Sequence, residues 1–129
     1  MIPTLRNFEE KFNKNFRYPY VVFSSPDEPD FSNDFKSTVA ATLPPDAITE
    51  YSRIAEKDWS IPKSMDREAV LTGFEKQGQT GVQYGFREGY HHMCRWYSGV
   101  FATEKALEKY DWYWRLEAGG EYFPLSVPS

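Results

Sequence analysis

The sequence has one cysteine, no long apolar run and no excess of basic residues, and each absence excludes a class of protein. Cys94 cannot form a disulfide within the chain, and a single thiolate cannot hold a structural zinc ion, which needs four ligands. No run of about 18 apolar residues is present, so no membrane-spanning helix is predicted. The net charge of −4, with acids and bases interleaved, argues against a nucleic-acid partner.

Sequence motifs for common chemistry are missing too. The chain contains no GxGxxG, no P-loop and no HExxH, and it has no internal repeat. Residues 1–10 lack the apolar segment of a signal peptide, so the chain as written would stay in the cytoplasm.

Aromatic residues are abundant, at 18% of the 129 residues, and 40% of the chain is hydrophobic. This composition is typical of one folded domain with a modest core. Apolar residues at helical spacing predict a first helix over residues 4–16, with Thr4 as its N-cap. A buried strand is predicted over Tyr18–Ser24.

Further elements follow from periodicity and from start and stop signals. Helices are predicted over Asp30–Leu43, Ser64–Gln77, Tyr90–Phe101 and Thr103–Lys109, with Ser64 and Thr103 as caps and Gly78 ending the second of them. Ala47–Ile54 fits either a strand or a helical turn. Alternating aromatic and polar residues predict a strand over Asp111–Glu117. The expected architecture is α/β with a thin sheet, as in one part of a larger domain.

The predicted helix Tyr90–Phe101 is expected to be mostly buried, with its Tyr90, Cys94 and Tyr97 side chains on one face. His91 and Cys94 are spaced to share a metal ion. The alternative is one exposed histidine and one packed cysteine, since two ligands make a weak zinc site.

Polar groups near predicted strand ends are the candidates for ligand binding. Glu117, followed by two glycines, suits a hard divalent cation that holds a diphosphate. Arg115 lies on the same strand face and suits either Glu117 or a phosphate; the alternative is a surface ion pair. Asp27 and Glu28 follow the first strand and either approach a ligand or form a solvated turn.

Tyr90 opens its predicted helix beside glycines. Its phenol could donate a hydrogen bond to an anionic or sugar group near the helix N-terminus. Packing in the core is the alternative reading of this side chain.

Several segments, in order, resemble the fungal α-1,2-mannosyltransferases of glycosyltransferase family 15. They are Phe16-Arg17-Tyr18-Pro19-Tyr20-Val21-Val22-Phe23, Asp27-Glu28-Pro29, Trp59-Ser60-Ile61-Pro62, Tyr84-Gly85, Tyr90-His91-His92-Met93-Cys94-Arg95, Ser98-Gly99-Val100-Phe101 and Tyr113-Trp114-Arg115-Leu116-Glu117.

The resemblance implies a partial Rossmann-like fold of the A-type nucleotide-diphospho-sugar transferases, with an incomplete sheet and packed helices. It implies a retaining transfer of mannose from GDP-mannose to a mannosylated N- or O-glycan acceptor, with Mn²⁺ as cofactor, in the Golgi membrane. By this resemblance Glu117 is a metal ligand and Tyr90 is a catalytic and substrate-binding residue. Arg115 is predicted to bind substrate from its position two residues before Glu117.

The chain also departs from the family pattern. His91 stands where the family has arginine, Phe86 and Arg87 replace small residues, and Ala118 replaces proline. Residues 1–123 match the N-terminal part of the catalytic domain, and 124–129 form a divergent tail. The resemblance thus predicts an inactive fragment without a membrane segment. The alternative is a non-enzymatic, degenerate paralogue that binds sugar or nucleotide weakly or acts as an interaction module.

Overall fold

A computed structural model describes residues 1–122, and the predicted tail at 124–129 lies outside them. The elements are α1 (Ile2–Phe8), a π-helical segment (Glu9–Asn13), α2 (Lys14–Phe16), β1 (Tyr20–Ser24), α3 (Asn33–Thr42), β2 (Thr49–Arg53), α4 (Arg67–Gln79) and α5 (Glu88–Tyr97), with 3₁₀ turns at Glu56–Asp58, Val100–Thr103 and Lys105–Leu107. The predicted α/β class is confirmed. No helix in the described range is long and apolar enough to cross a membrane.

The chain forms two compact units. The terminal unit consists of Met1–Val22, Asp30–Tyr51 and the chain from Tyr110 onward, and the central unit of Phe23–Pro29 and Ser52–Lys109. Both strands contribute residues to each unit. The assignment of residues 1–123 to one piece of a catalytic domain stays a prediction.

The sheet contains β1 and β2, paired in parallel. The Tyr20 amide donates to the Ile48 carbonyl at 2.8 Å, and the Ile54 amide donates to the Ser24 carbonyl at 2.9 Å. Because parallel strands need a crossover connection, α3 between them completes a β-α-β unit. The segment Ala47–Ile54, left open between strand and helical turn, is therefore mainly strand.

The terminal unit has a conventional apolar core. Leu5, Phe8, Tyr20, Val39 and Leu43 are buried and in contact. The helix predicted over residues 4–16 starts earlier, so Thr4 is not its cap. Thr4 is instead buried, and its hydroxyl accepts a hydrogen bond from the Gly119 amide at 3.1 Å.

A π-helical segment interrupts the first predicted helix, and its buried residues, Glu9 and Asn13, belong to a polar cluster. Asn13 exchanges hydrogen bonds with the Tyr18 backbone, and its amide also donates to Glu9 at 3.2 Å. Glu9, itself buried, accepts a short hydrogen bond from the Tyr20 hydroxyl. Burial and this carboxylate raise the pKa of Tyr20 well above its ordinary value.

The strand predicted over residues 111–117 is not formed; the segment is irregular chain. Within residues 1–122 the hydrogen-bonded strands are β1 and β2, so this segment has no strand beside it to complete a ladder. Its side chains do not divide between two faces as predicted. Trp114 contacts the Phe8 and Phe12 rings and Leu116 packs on the terminal core, whereas Trp112 is 90% exposed.

Helices α3 and α4 have side-chain caps. Ser32 accepts from the Phe35 amide at 3.1 Å, and Asp66 accepts from the amides of the first turn of α4. The cap of α4 is therefore Asp66 and not Ser64. Gly78 does not end α4, which runs on to Gln79.

Helix α5 buries a different face from the one predicted. It begins at Glu88, and its buried side chains are His92 and Trp96, whereas Cys94 is exposed. Trp96 packs against Phe23 with ring centroids 5.0 Å apart, and its indole N–H donates to Glu104 at 3.0 Å. The helix predicted over Thr103–Lys109 is only a 3₁₀ turn that begins after Glu104.

Candidate functional site

A groove of about 400 Å³ lies within the central unit. The groove is lined by the end of β1 and the loop after it, by the chain on either side of the first 3₁₀ turn, by the loop after α4 and by α5. Its lining residues are Phe23, Ser25, Asp27, Glu28, Ile54, Trp59, Tyr84, Arg87, Gly89, Tyr90, Met93, Trp96 and Tyr97. An apolar, aromatic lining with a few polar groups is typical of small-molecule sites. Asp27 and Glu28 thus lie in an exposed turn, as the alternative predicted, and the same turn lines the groove.

Asp27 is held as a carboxylate. Burial acts to raise its pKa, but hydrogen bonds from Ser25 and Trp59, together with the charge of His92, outweigh burial and lower the pKa of Asp27. The buried Trp59 indole nitrogen has no partner of ordinary hydrogen-bond geometry within residues 1–122, so this interaction with Asp27 is a loose one.

The Asp27 carboxylate also lies against the first turn of α5. A Cβ atom at Gly89 would come within 3.0 Å of Asp27 Oδ2, so a glycine permits this close approach. Helix α5 has no side-chain cap of its own. A carboxylate at this end interacts favourably with the helix dipole.

A charged network anchors the start of α5. Arg67 donates two hydrogen bonds of 3.1 Å to Glu88, and Glu88 Oε1 lies 3.1 Å from His92 Nε2. The hydrogen bond with His92, followed by the effect of Arg67, lowers the pKa of Glu88 against the opposing effect of burial. The i, i+4 spacing of Glu88 and His92 was the sequence signal for this pair.

Tyr90 lies on the groove wall, 38% exposed, with its ring centroid 5.1 Å from that of Tyr84. Packing in the core, the alternative reading, therefore does not describe this side chain. Tyr84 and Arg87 were missed as groove residues. Their signal was the position of Tyr84-Gly85 between two other glycines, Gly81 and Gly89.

Glu117 and Arg115 form an ion pair in the terminal unit. The Glu117 side chain is 65% exposed and follows irregular chain, not a strand end. Residues 1–122 contain no group of three or more His, Cys, Asp or Glu side chains that could hold a metal ion. The described residues therefore supply fewer than three such ligands at Glu117, whose role stays a prediction.

The proposed pairing of His91 and Cys94 around a metal also finds no support in this range. The His91 ring stacks on Phe74 at 3.8 Å between centroids, and its Nε2 lies 2.6 Å from the Gly85 carbonyl oxygen. One face of the His91 ring and its Nε2 are thus used in contacts with Phe74 and Gly85. Cys94 is exposed, so the alternative of an exposed histidine and a packed cysteine is reversed.

Comparison with known proteins relates this arrangement to one enzyme family. The sequence profile of the family described as glycolipid 2-alpha-mannosyltransferase matches residues 1–123. Probable mannosyltransferase KTR5 of Saccharomyces cerevisiae is 40% identical over 124 residues, which are 95% of this chain and 23% of that protein. Probable mannosyltransferase KTR4 of the same yeast is 35% identical over 123 residues, 95% of this chain and 26% of that protein.

Solved structures agree. The X-ray structure of Ktr4p from S. cerevisiae in complex with GDP has a TM-score of 0.77 and 36% identity, covering 84% of this chain and 27% of that one. The Mn/GDP form of core-mannan synthase A from Aspergillus fumigatus has a TM-score of 0.80 and 31% identity, covering 89% and 30%. The chain spans about a quarter of the length of the curated relatives. It belongs to the glycolipid 2-alpha-mannosyltransferase family, glycosyltransferase family 15.

Proposed function

We propose that the chain forms part of a retaining α-1,2-mannosyltransferase, in which mannose passes from GDP-mannose to a mannosylated glycan acceptor. The observation that carries the proposal is the likeness to the Mn/GDP form of core-mannan synthase A over 89% of the chain. Transfer is ascribed to the whole enzyme, since the chain spans only about a quarter of its curated relatives.

Tyr90 is the proposed catalytic and substrate-binding residue of this chain. Its position on the wall of the groove supports that role, because a half-exposed side chain in the first turn of a helix is accessible to a ligand there. The phenol would donate a hydrogen bond to a sugar hydroxyl or to an anionic oxygen.

Glu117 is the proposed protein ligand for Mn²⁺, and Arg115 the proposed contact for a phosphate. An exposed carboxylate suits this role, because divalent cations at diphosphates often use one or two carboxylates together with phosphate oxygens and water. When bound, the metal ion would neutralise charge on the departing GDP. The ion pair with Arg115 holds the Glu117 side chain until a ligand competes for either partner.

Calorimetric titration with Mn²⁺ and GDP tests the metal assignment. We expect the wild-type chain to release heat and Glu117→Ala to weaken binding at least about tenfold, the loss of one charge-assisted contact. Glu108→Ala removes another exposed carboxylate and serves as the control. Equal binding by Glu117→Ala and the wild type contradicts the role of Glu117.

The 129-residue chain by itself is proposed to catalyse no transfer, because its described residues contribute one candidate metal ligand and no cluster of them. Purified chain incubated with GDP-mannose, Mn²⁺ and a mannose acceptor should release no GDP above the rate without acceptor. Turnover would contradict this proposal. Binding without turnover is the outcome that a sugar- or nucleotide-binding module also predicts.

We extend the proposal to the Golgi membrane for the full protein, on the strength of the family resemblance. Fluorescence imaging of the tagged gene product at its native locus tests this. Co-localisation with a Golgi marker is the expected result, and uniform cytoplasmic signal would contradict it.

A further inference from the structure

Tyr84 has an unusual backbone conformation. Its φ is +60°, and among residues 1–122 only Arg17 shares a positive φ without being glycine. A large side chain in this left-handed region is strained and persists only where its surroundings enforce it. The Tyr84 ring is 40% exposed and lines the groove, and the Arg87 guanidinium lies 5.0 Å from its centroid.

Two glycines hold the loop that carries Tyr84 against α4. A Cβ atom at Gly85 would lie 2.8 Å from the Gly78 backbone nitrogen, and a Cβ atom at Gly78 would lie 2.7 Å from the Phe86 ring. Neither position has room for a side chain, so the loop and the helix approach each other closely. Gly85 is buried as a result.

His91 closes the same contact from α5. Its Nε2 lies 2.6 Å from the Gly85 carbonyl oxygen, and because a carbonyl only accepts, this nitrogen carries the proton. The imidazole ring lies parallel to Phe74 of α4, at 3° and 3.8 Å between centroids. One side chain therefore joins α4, the loop and α5 immediately beside Tyr84.

We propose that Tyr84 is a ligand-contacting residue of the groove and that His91 is the positioning residue that fixes it there through Gly85. The exposed Tyr84 ring offers a flat apolar surface to the C–H face of a sugar, next to the Tyr90 ring. The ligand contact rests on the proposed mannosyl-transfer function. The positioning by His91 rests on geometry alone.

Replacement of Tyr84 by glycine tests the contact without strain, because glycine accepts a positive φ. Tyr84→Gly should weaken binding of methyl α-D-mannopyranoside about tenfold in an NMR titration, while the melting temperature does not fall. Tyr84→Phe keeps the ring and should bind within about threefold of the wild type. Equal affinity for Tyr84→Gly and the wild type overturns the contact and leaves the proposed function intact.

A wild-type chain that binds neither methyl α-D-mannopyranoside nor Mn²⁺ with GDP overturns both the proposed function and the Tyr84 contact. Positioning by His91 is judged separately, by hydrogen exchange.

Hydrogen exchange measures whether His91 holds the loop. The Gly85 amide donates to the Val82 carbonyl and the Arg87 amide to the Tyr84 carbonyl, both at 2.9 Å. His91→Ala should speed exchange at these two amides at least about tenfold while α3 amides keep their rates.

His91→Gln retains an N–H donor and should restore part of the protection. Cys94→Ala, at an exposed position of the same helix, should change nothing. Wild-type exchange at Gly85 and Arg87 in His91→Ala overturns the positioning role.

Discussion

The terminal and central units bury apolar and polar side chains in different proportions. The terminal core consists of apolar residues in mutual contact, namely Leu5, Phe8, Tyr20, Val39 and Leu43. The central unit buries Ile54, Trp96 and Ala106 together with the polar side chains Ser24, Ser25 and His92. His92 is paired with Glu88 and the Trp96 indole with Glu104, whereas the Ser24 hydroxyl has no hydrogen-bond partner among residues 1–122. Specific bonds of His92 and Trp96 therefore add to apolar contact in holding the central unit.

The difference coincides with the location of the groove. In the central unit a charged network positions α5, and two glycines position the loop that carries Tyr84. Directional bonds and close backbone contacts fix side chains more tightly than apolar packing alone, and a binding surface needs that precision.

The largest expected effect on stability comes from removing the Trp96 side chain, which is buried in the central unit. Trp96→Ala should lower the free energy of unfolding by about 4 kcal/mol, and Leu5→Ala in the terminal core by about 3 kcal/mol. Fluorine NMR of 5-fluorotryptophan during urea unfolding reports on each unit, through Trp59 in the central unit and through Trp114, which contacts Phe8 and Phe12, in the terminal one. Equal shifts of both signals in both variants would show that the units unfold as one.

The buried polar cluster of the terminal unit is the exception to its apolar character. Glu9→Ala leaves the Tyr20 hydroxyl without its acceptor and removes one of the two acceptors of the Asn13 amide, so it should cost about 2 kcal/mol in urea unfolding. Glu10→Ala, next to it but exposed, should cost less than about 0.5 kcal/mol. Similar losses in the two variants would contradict the structural role of Glu9.

Close backbone contact in the central unit is tested with paired glycines. Gly85→Ala forces a Cβ atom to within 2.8 Å of backbone and should cost about 2 kcal/mol. Gly73→Ala, within α4 and with nothing within 4 Å of its Cβ position, should stabilise the chain by about 0.5 kcal/mol. Thermal unfolding should therefore show a lower melting temperature for Gly85→Ala and a higher one for Gly73→Ala. Similar changes in the two variants would contradict the close contact at Gly85.

Opposite pH ranges should weaken the two units. Folding lowers the pKa of Glu88 and Asp27, so their stabilisation is present above their ordinary values of 4.5 and 3.8 and is lost as pH falls through the folded pKa. Folding raises the pKa of Tyr20, so its stabilisation is present below 10.0 and is lost as pH rises above that value.

The fluorotryptophan signals measure this contrast directly. The folded-state signal of the tryptophan in the central unit should be lost first in acid, and that of the tryptophan in the terminal unit should be lost first in alkali. Glu88→Gln should reduce the acid effect, and Tyr20→Phe should reduce the alkaline one. If Tyr20→Phe and the wild type lose the folded-state signal of the terminal unit at the same alkaline pH, Tyr20 is not the cause of the alkaline effect.

The smallest expected effect concerns backbone strain in the terminal unit. Arg17 ends α2 at φ +59° and donates to Asp46 at the surface. Arg17→Gly relieves the strain but loses an exposed ion pair, so stability should change by no more than about 0.5 kcal/mol. Thermal unfolding measures it. A loss near 2 kcal/mol would show that the pair matters more than an exposed pair usually does.

Predictions that rested on local pattern largely agree with the structure. The strand at Tyr18–Ser24, the helix at Asp30–Leu43 and the helix at Ser64–Gln77 are each present, with ends displaced by a few residues. Apolar spacing, caps and proline stops are properties of a short stretch of chain, so they can be recognised from the sequence without knowledge of the tertiary structure.

Predictions that depended on contact with a distant segment of the chain agree less well with the structure. The alternation over residues 111–117 is real, but no strand pairs with it in the described range, so it is irregular. The buried face of α5 was also predicted wrongly. Apolarity pointed to Tyr90 and Cys94, whereas hydrogen bonding to Glu88 made His92 the buried residue.

By itself, the sequence determined the α/β class, the family and the candidates Tyr90, Arg115 and Glu117. Each depends on residue types at fixed spacing along the chain. Only the tertiary structure decided that Tyr90 lines a groove with Asp27 and Tyr84, and that His91 packs on Phe74 instead of facing a metal. Those outcomes depend on which distant segments meet, and spacing along one chain carries no record of that contact.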